Sequence, residues 1–303
     1  MGSAANRKKD LLPTRELGKT GQRVSIFGLG GQALLEQPDR RDEAVELISR
    51  AIDLGVTYCD SARAYGPSEE HYGAVMKYRR REVFLTSKIY ERPRDEAWQS
   101  IETSLHNLRT DWIDLIQIHS LRYPEELDLV MKPYGALQAC IEAREQGLVR
   151  YIGVTGHFDP EVINEAIRRF DFDTVLIPIN VADPAYLSFQ QHTVPLARER
   201  NLGIVGMKVP IRGRLLGKNL FTSIEPLLRY ALSRPISAAI IGCGSLAELE
   251  ENVAVARGFS GLADGEEDEI KAIASRLDRR IEGYKKGIED PSWRSYCPYA
   301  EGE

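Results

Sequence analysis

The chain predicts an α/β fold: a (β/α)8 TIM barrel with an N-terminal β-hairpin cap and a C-terminal helix and tail. Three observations predict it. Eight short, β-branched apolar runs recur along the sequence, amphipathic helical stretches lie between them, and the period is about 30 residues, the size of a βα unit. Each run is apolar on both faces, as expected of strands covered on both sides. A doubly wound open sheet reads the same locally, but the count and the even spacing favour closure.

The segment TRELGKTGQRVS (14–25) comes first and has a Lys-Thr-Gly turn, so it reads as a hairpin able to cap the barrel floor. The strand-like runs follow as VSIFG (24–28), VTYC (56–59), VFLTS (83–87) and IDLIQI (113–118). YIGVT (151–155), TVLIPI (174–179), GIVGM (203–207) and SAAIIG (237–242) complete the eight. Between them, Ala44, Leu47, Ile48, Ala51 and Leu54 keep helical spacing and stop at Gly55, a natural C-cap. Trp98, Ile101, Leu105 and Leu108 form a second such stripe, and the stretch from Gly135 to Glu145 stops at Gly147. No Pro/Ser-rich linker interrupts the series. The expected organisation is a flexible segment over residues 1–13 and one domain over 14–303.

Composition bounds the function. The chain has 303 residues, 43% hydrophobic and 28% charged, with a net charge of −5. That balance suits a packed globular protein and argues against a broad nucleic-acid surface, which needs clustered positive charge. No apolar run approaches the ~20 residues of a membrane span. The start, MGSAANRKKD, has no apolar core of a secretory signal, and Asn6 breaks the myristoylation pattern. Cys59, Cys140, Cys243 and Cys297 form no close pairs. A cytoplasmic location is therefore expected. The five histidines show no metal-ligand spacing with the cysteines, so no metal is expected.

Chemistry in a barrel sits at the C-terminal ends of the strands. Three successive runs end there in titratable groups: VTYC in Asp60, with Tyr65 five residues on, VFLTS in Lys88, and IDLIQI in His119. Taken singly, an Asp after a strand is a cap, a Lys is solvated and a His is packing. Together they make an acid–base set. A phenol with a pKa near 10 is a poor acid at neutral pH, and a nearby ammonium lowers that value. Lys88 supplies the charge, Asp60 holds Lys88, and His119 orients a carbonyl.

Asp60, Tyr65, Lys88 and His119, in this order and spacing, resemble the catalytic tetrad of the aldo-keto reductases. The likeness runs through LGKTGQRVS, FGLGG and YCDSARAYG to EEN (250–252). It implies reversible hydride transfer between a nicotinamide cofactor and a small-molecule carbonyl, with Tyr65 as general acid. By the same resemblance Gly31 and Gln32 lie beside the nicotinamide, and Thr155 and Asn180 hold its carboxamide. Gly156 departs from the pattern, where the family has an amide side chain, and His157 is a candidate to compensate. Met207 replaces the aromatic that stacks on the ring, and a thioether can pack there with less area.

Lys208, Arg212, Arg214 and Lys218 make a basic loop suited to a pyrophosphate. Gly242, Gly244 and Ser245 precede a helix whose N-terminus favours phosphate, and Glu251 and Asn252 match the adenine-binding residues. Glu248 is acidic where NADP-binding members carry Arg or Gln. A carboxylate repels a 2′-phosphate but accepts from a 2′-hydroxyl, so NADP(H) is favoured and NAD(H) stays open. Trp293, Tyr296 and Tyr299 stand near the expected substrate-shaping tail. Two alternatives remain: a Schiff-base lyase or aldolase using Lys88 or Lys208, and a nicotinamide-binding subunit without catalysis. Oligomeric state is left open by the sequence.

Overall fold

The computed structural model describes residues 12–288, 290 and 293. The N-terminal segment 1–11, Cys297, Tyr296 and Tyr299 lie outside the described residues. Strands β1 (Thr14–Glu16) and β2 (Arg23–Ser25) pair antiparallel as the predicted hairpin. Eight parallel strands then close a barrel: β3 (Phe27–Gly30), β4 (Tyr58–Asp60), β5 (Phe84–Ile89), β6 (Ile113–Ile118), β7 (Val149–Thr155), β8 (Thr174–Pro178), β9 (Gly203–Met207) and β10 (Ala238–Ile241). β10 pairs with β3, so the sheet has no free edge.

The helices are α1 (Arg41–Asp53), α2 (Ser68–Arg79), α3 (Arg94–Leu108), α4 (Pro124–Val130), α5 (Ala136–Glu145), α6 (Pro160–Arg169), α7 (Phe189–Glu199), α8 (Glu225–Leu232), α9 (Leu246–Arg257) and α10 (Glu266–Ala274). In α1 the predicted stripe of Ala44, Leu47, Ile48 and Ala51 is fully buried. Gly55 and Gly147 take positive φ after their helices, as the stop signals imply.

Alternation along the strands builds two apolar regions. Outward residues pack under the helices in the main core. Inward residues Tyr58, Phe84, Leu115, Leu176, Val205, Ala238 and Ile240 fill the barrel interior, with Leu17 and Val24 from the hairpin in the same cluster. The hairpin sits hard against the floor. Gly18 has φ +53°, and a Cβ there would lie 2.1 Å from the Gly203 backbone nitrogen, so glycine is required twice over.

One expectation needs correction. The run 24–28 is not one strand: the chain bends at Ile26, whose N–H donates to Pro13 O at 2.9 Å, so the hairpin ends at Ser25 and the barrel begins at Phe27. The basic loop read after the seventh strand is irregular in backbone. After β9, Lys208, Ile211, Arg212 and Gly213 all take positive φ, and an irregular loop runs to α8. Among the described residues, no helix is long and apolar enough to cross a membrane.

Candidate active site

Inside the barrel each strand runs from apolar to polar towards its C-terminal end. On β4, Tyr58 and Asp60 share the inward face; on β5, Phe84, Thr86 and Lys88 do; on β6, Leu115 and Gln117 do, because side chains alternate with period two. The pairing of β4 with β5 puts Asp60 beside Thr86, and that of β5 with β6 puts Lys88 beside Gln117.

Four predicted groups consequently meet. Lys88 Nζ donates to Asp60 Oδ2 at 2.6 Å and to Ser61 O at 2.7 Å, and both side chains are sealed from solvent. The ammonium also lies 4.8 Å from the Tyr65 ring centroid, close enough for its charge to act on the phenol. The His119 ring meets the Tyr65 ring edge-on at 5.6 Å. Asp60 is held in turn: its Oδ1 accepts from Thr86 Oγ1 at 2.7 Å and from Gln117 Nε2 at 3.4 Å.

Burial pushes the Lys88 amine down, but Asp60 and Tyr65 outweigh it, and the ammonium ends above its ordinary value. For Tyr65 the balance runs the other way from the sequence expectation. Burial raises its pKa more than Lys88 lowers it, so the phenol stays protonated at neutral pH. Burial, with Lys88, His157 and other cations, drives His119 well below its ordinary value, leaving the imidazole neutral. A neutral imidazole, a protonated phenol and a fixed ammonium around one opening can hold a carbonyl oxygen and give it a proton.

These groups open into one cleft of about 1630 Å³ at the C-terminal end of the barrel. Gly31, Gln32, Thr155, Met207, Lys208, Gly242, Gly244, Glu248, Glu251 and Asn252 line it, and so does His157. Met207 tops the apolar interior column. Lys208 is enclosed against the rings of Tyr284 and Trp293, and burial, aided by Arg212, lowers its pKa to about 7.

Other expected contacts are committed elsewhere. Asn180 is buried: its Nδ2 donates to the Tyr284 hydroxyl at 3.1 Å, while its Oδ1 accepts from the Ala182 and Asp183 N–H groups. Arg214 turns to Asp290 at 2.9 Å and stacks on Trp293. The Ser245 hydroxyl caps α9, accepting from Glu248 N–H, and the Glu248 carboxylate accepts from Gly244 N–H at 2.7 Å. That helix end therefore already holds an anion. At Gly156 a Cβ would meet the Ile163 side chain at 2.4 Å and Leu121 O at 3.0 Å, so an amide side chain there would need Ile163 to move. Cys59 is fully buried and its thiol is pushed up to about 12, so it is packing.

Sequence reasoning missed several residues that line the cleft or hold those that do. Thr86 and Gln117 carried a usable signal, as polar residues on the inward face of apolar strands. Arg122, Tyr123 and Phe158 lie on loops whose course sequence does not give. Gly283, Tyr284, Lys285, Ile288 and Asp290 also line the cleft, held by a buried anchor, and Trp293, which the sequence placed near the substrate-shaping tail, lines it with them. There Lys285 Nζ bonds Asp183 Oδ1 at 2.9 Å, Tyr186 O at 2.7 Å and Glu282 Oε2 at 3.0 Å.

Comparison with known proteins agrees with this geometry. The aldo/keto reductase family model matches residues 26–225. The chain belongs to the aldo/keto reductase family. Among the relatives of this aldo-keto reductase is the uncharacterized oxidoreductase YqkF of Bacillus subtilis, 25% identical, the match covering 88% of this chain and 97% of the relative. Methylglyoxal reductase DkgB of Escherichia coli O157:H7 is 31% identical over 71% of this chain and 80% of its own. A crystal structure of an aldo-keto reductase from Klebsiella pneumoniae in complex with NADPH is 22% identical. It superposes with a TM-score of 0.74, covering 89% of this chain and 97% of that one. The protein is thus an oxidoreductase of this family, built on its barrel.

Proposed function

We propose that the chain is an NADP(H)-dependent reductase of aldehydes or ketones, working as one barrel domain over residues 14–303. One observation carries the reading: a sealed Asp60–Lys88 pair, 2.6 Å apart, aims its ammonium at the Tyr65 phenol beside His119. Tyr65 gives its proton to the carbonyl oxygen in reduction and recovers it in oxidation. Lys88 stabilises the phenolate left behind, and Asp60 keeps Lys88 charged and in place. Neutral His119 donates a hydrogen bond that orients the carbonyl.

The cleft suits the cofactor in its volume and in its donor set. It exceeds the roughly 300–1,000 Å³ of an ordinary small-molecule pocket, leaving room for cofactor and substrate together. Lys208, with no carboxylate on it among the described residues, and Arg212 supply positive charge for a pyrophosphate. Gly31, Gln32, Thr155 and Met207 would lie along the nicotinamide, and Glu251 and Asn252 along the adenine. The bound cofactor supplies the hydride. The family's use of NADP(H) supports the choice of nucleotide.

The Schiff-base alternative is weakened at Lys88, which Asp60 keeps charged, but Lys208, near 7, retains free amine. Borohydride trapping of a carbonyl on Lys208 would favour it. The decisive test is Tyr65→Phe. Turnover of an aldehyde panel should fall by about 10²- to 10⁴-fold, the contribution of a positioned general acid, while NADPH still binds by fluorescence titration. Wild-type turnover in that variant would remove Tyr65 from the chemistry.

A further inference from the structure

On the substrate side of the cleft, the loop after β6 carries His119, Ser120, Arg122 and Tyr123 past the opening, and the loop after β7 brings His157 and Phe158 to face them. Arg122 is the unusual member. Its guanidinium carbon lies 4.9 Å from the Phe158 ring centroid and 5.9 Å from that of Tyr123, so aromatic faces hold the planar group. Stacking fixes the plane and leaves the N–H edges free. Arg122 Nε is buried and donates to nothing among the described residues. Glu126, four residues on, does not pair with this guanidinium: its Oε2 accepts from the Arg122 backbone N–H at 3.0 Å and faces Arg92 at 3.4 Å.

The Arg122 side chain is half-buried with its Nε sealed from solvent, and a guanidinium so placed without a carboxylate carries a cost that an anionic ligand would offset. Its five donors match two carboxylate oxygens in a fork. Here the fork shares a cleft with the proton-donating phenol. His157 adds a polar edge nearby, its Nε2 lying 3.5 Å from Ser120 Oγ.

We propose that Arg122 is a specificity-determining residue, binding the carboxylate of an oxo-acid substrate whose aldehyde or ketone is presented to Tyr65 and His119. The inference rests on the reductase reading and adds the substrate class: carbonyl compounds bearing a carboxylate. The charge pair acts by holding the substrate and takes no part in proton transfer.

The test compares ω-oxo carboxylates of three to six carbons with their uncharged methyl esters. With wild-type protein and NADPH, kcat/KM for the best acid should exceed that for its ester by about 10- to 100-fold, the range for a charge-assisted hydrogen-bonded contact. The advantage should lie mainly in KM. In Arg122→Gln the acid-to-ester ratio should fall to near one, and Arg122→Lys should restore part of it. Binding of succinate, a non-reducible dicarboxylate, measured by calorimetry, should weaken by at least about tenfold in Arg122→Gln. Equal rates for acid and ester in the wild type would overturn the inference while leaving the reductase reading intact. So would a preference that survives Arg122→Gln. Turnover of neither compound would remove both.

Discussion

At Asp60, Tyr65, Lys88 and His119 the environment sets the working pH. Tyr65 is raised above its ordinary value near 10, because burial outweighs the ammonium. Reduction needs the protonated phenol, which persists at every pH below that raised value. Its rate should stay flat through neutral pH and fall only as pH climbs past 10. Oxidation of an alcohol needs the phenolate and should rise over the same range. His119 is neutral well below pH 6.5, so neither profile should bend near 6.5. Stopped-flow rates across pH 5–11 measure both limbs, and a break near 6.5 would mean a charged imidazole takes part. Replacing the ammonium is harsher. Lys88→Met leaves Asp60 buried without its partner and should cost about 3–5 kcal/mol in urea unfolding, as well as most turnover.

Among the elements, α9 joins sequence to cofactor choice. Ser245 and Glu248 form its cap, and the Glu248 carboxylate already sits on Gly244 N–H. In Glu248→Gln the amide oxygen can still accept that N–H, while the negative charge disappears. Affinity for NADPH relative to NADH should rise by about fivefold, the scale of one exposed charge near another, as read by nicotinamide fluorescence. The anchor on Lys285 makes a second prediction. Lys285→Met strands Asp183 and Glu282 in a buried pocket and should destabilise the protein by about 3 kcal/mol. Limited proteolysis should then cut first between Gly283 and Ile288.

The same elements show what the sequence could and could not tell. Asp60, Lys88 and His119 were legible because each ends an apolar run, and strand ends map to one mouth of a barrel. The break at Ile26 was not, since Ser25–Phe27 is apolar enough to continue a strand and only the long-range bond to Pro13 divides it. Arg214 falls in the expected cofactor site because a basic loop suits anions, and Asn180 because it matches the family's carboxamide-binding amide. Their side chains instead face Asp290 and Tyr284, partners 76 and 104 residues away. The net sign of the Tyr65 shift was also out of reach, because charge partners can be read from spacing but the degree of burial cannot.

For the whole molecule, the closed sheet and the hairpin leave the interior open at one end. Leu17 and Val24 plug the floor against the inward apolar layer, and Gly18 lets the hairpin backbone touch that of Gly203. Gly18→Ala would need both a strained positive φ and a 2.1 Å contact, so the hairpin must lift. The expected loss is about 2 kcal/mol or more, seen as a lower unfolding midpoint. The Asp60–Lys88 pair lies at the far end and should keep the enzyme active below the transition.

The barrel also buries Cys59, Cys140 and Cys243, each thiol pushed up to about 12. At physiological pH almost no thiolate is present at these positions, so maleimides and peroxide find no nucleophile until the surrounding layer opens. Cys243 accepts from the Asn252 amide at 3.4 Å where β10 meets α9. Its alkylation rate is therefore a clock for local breathing at that corner, and a nucleotide seated there should slow it.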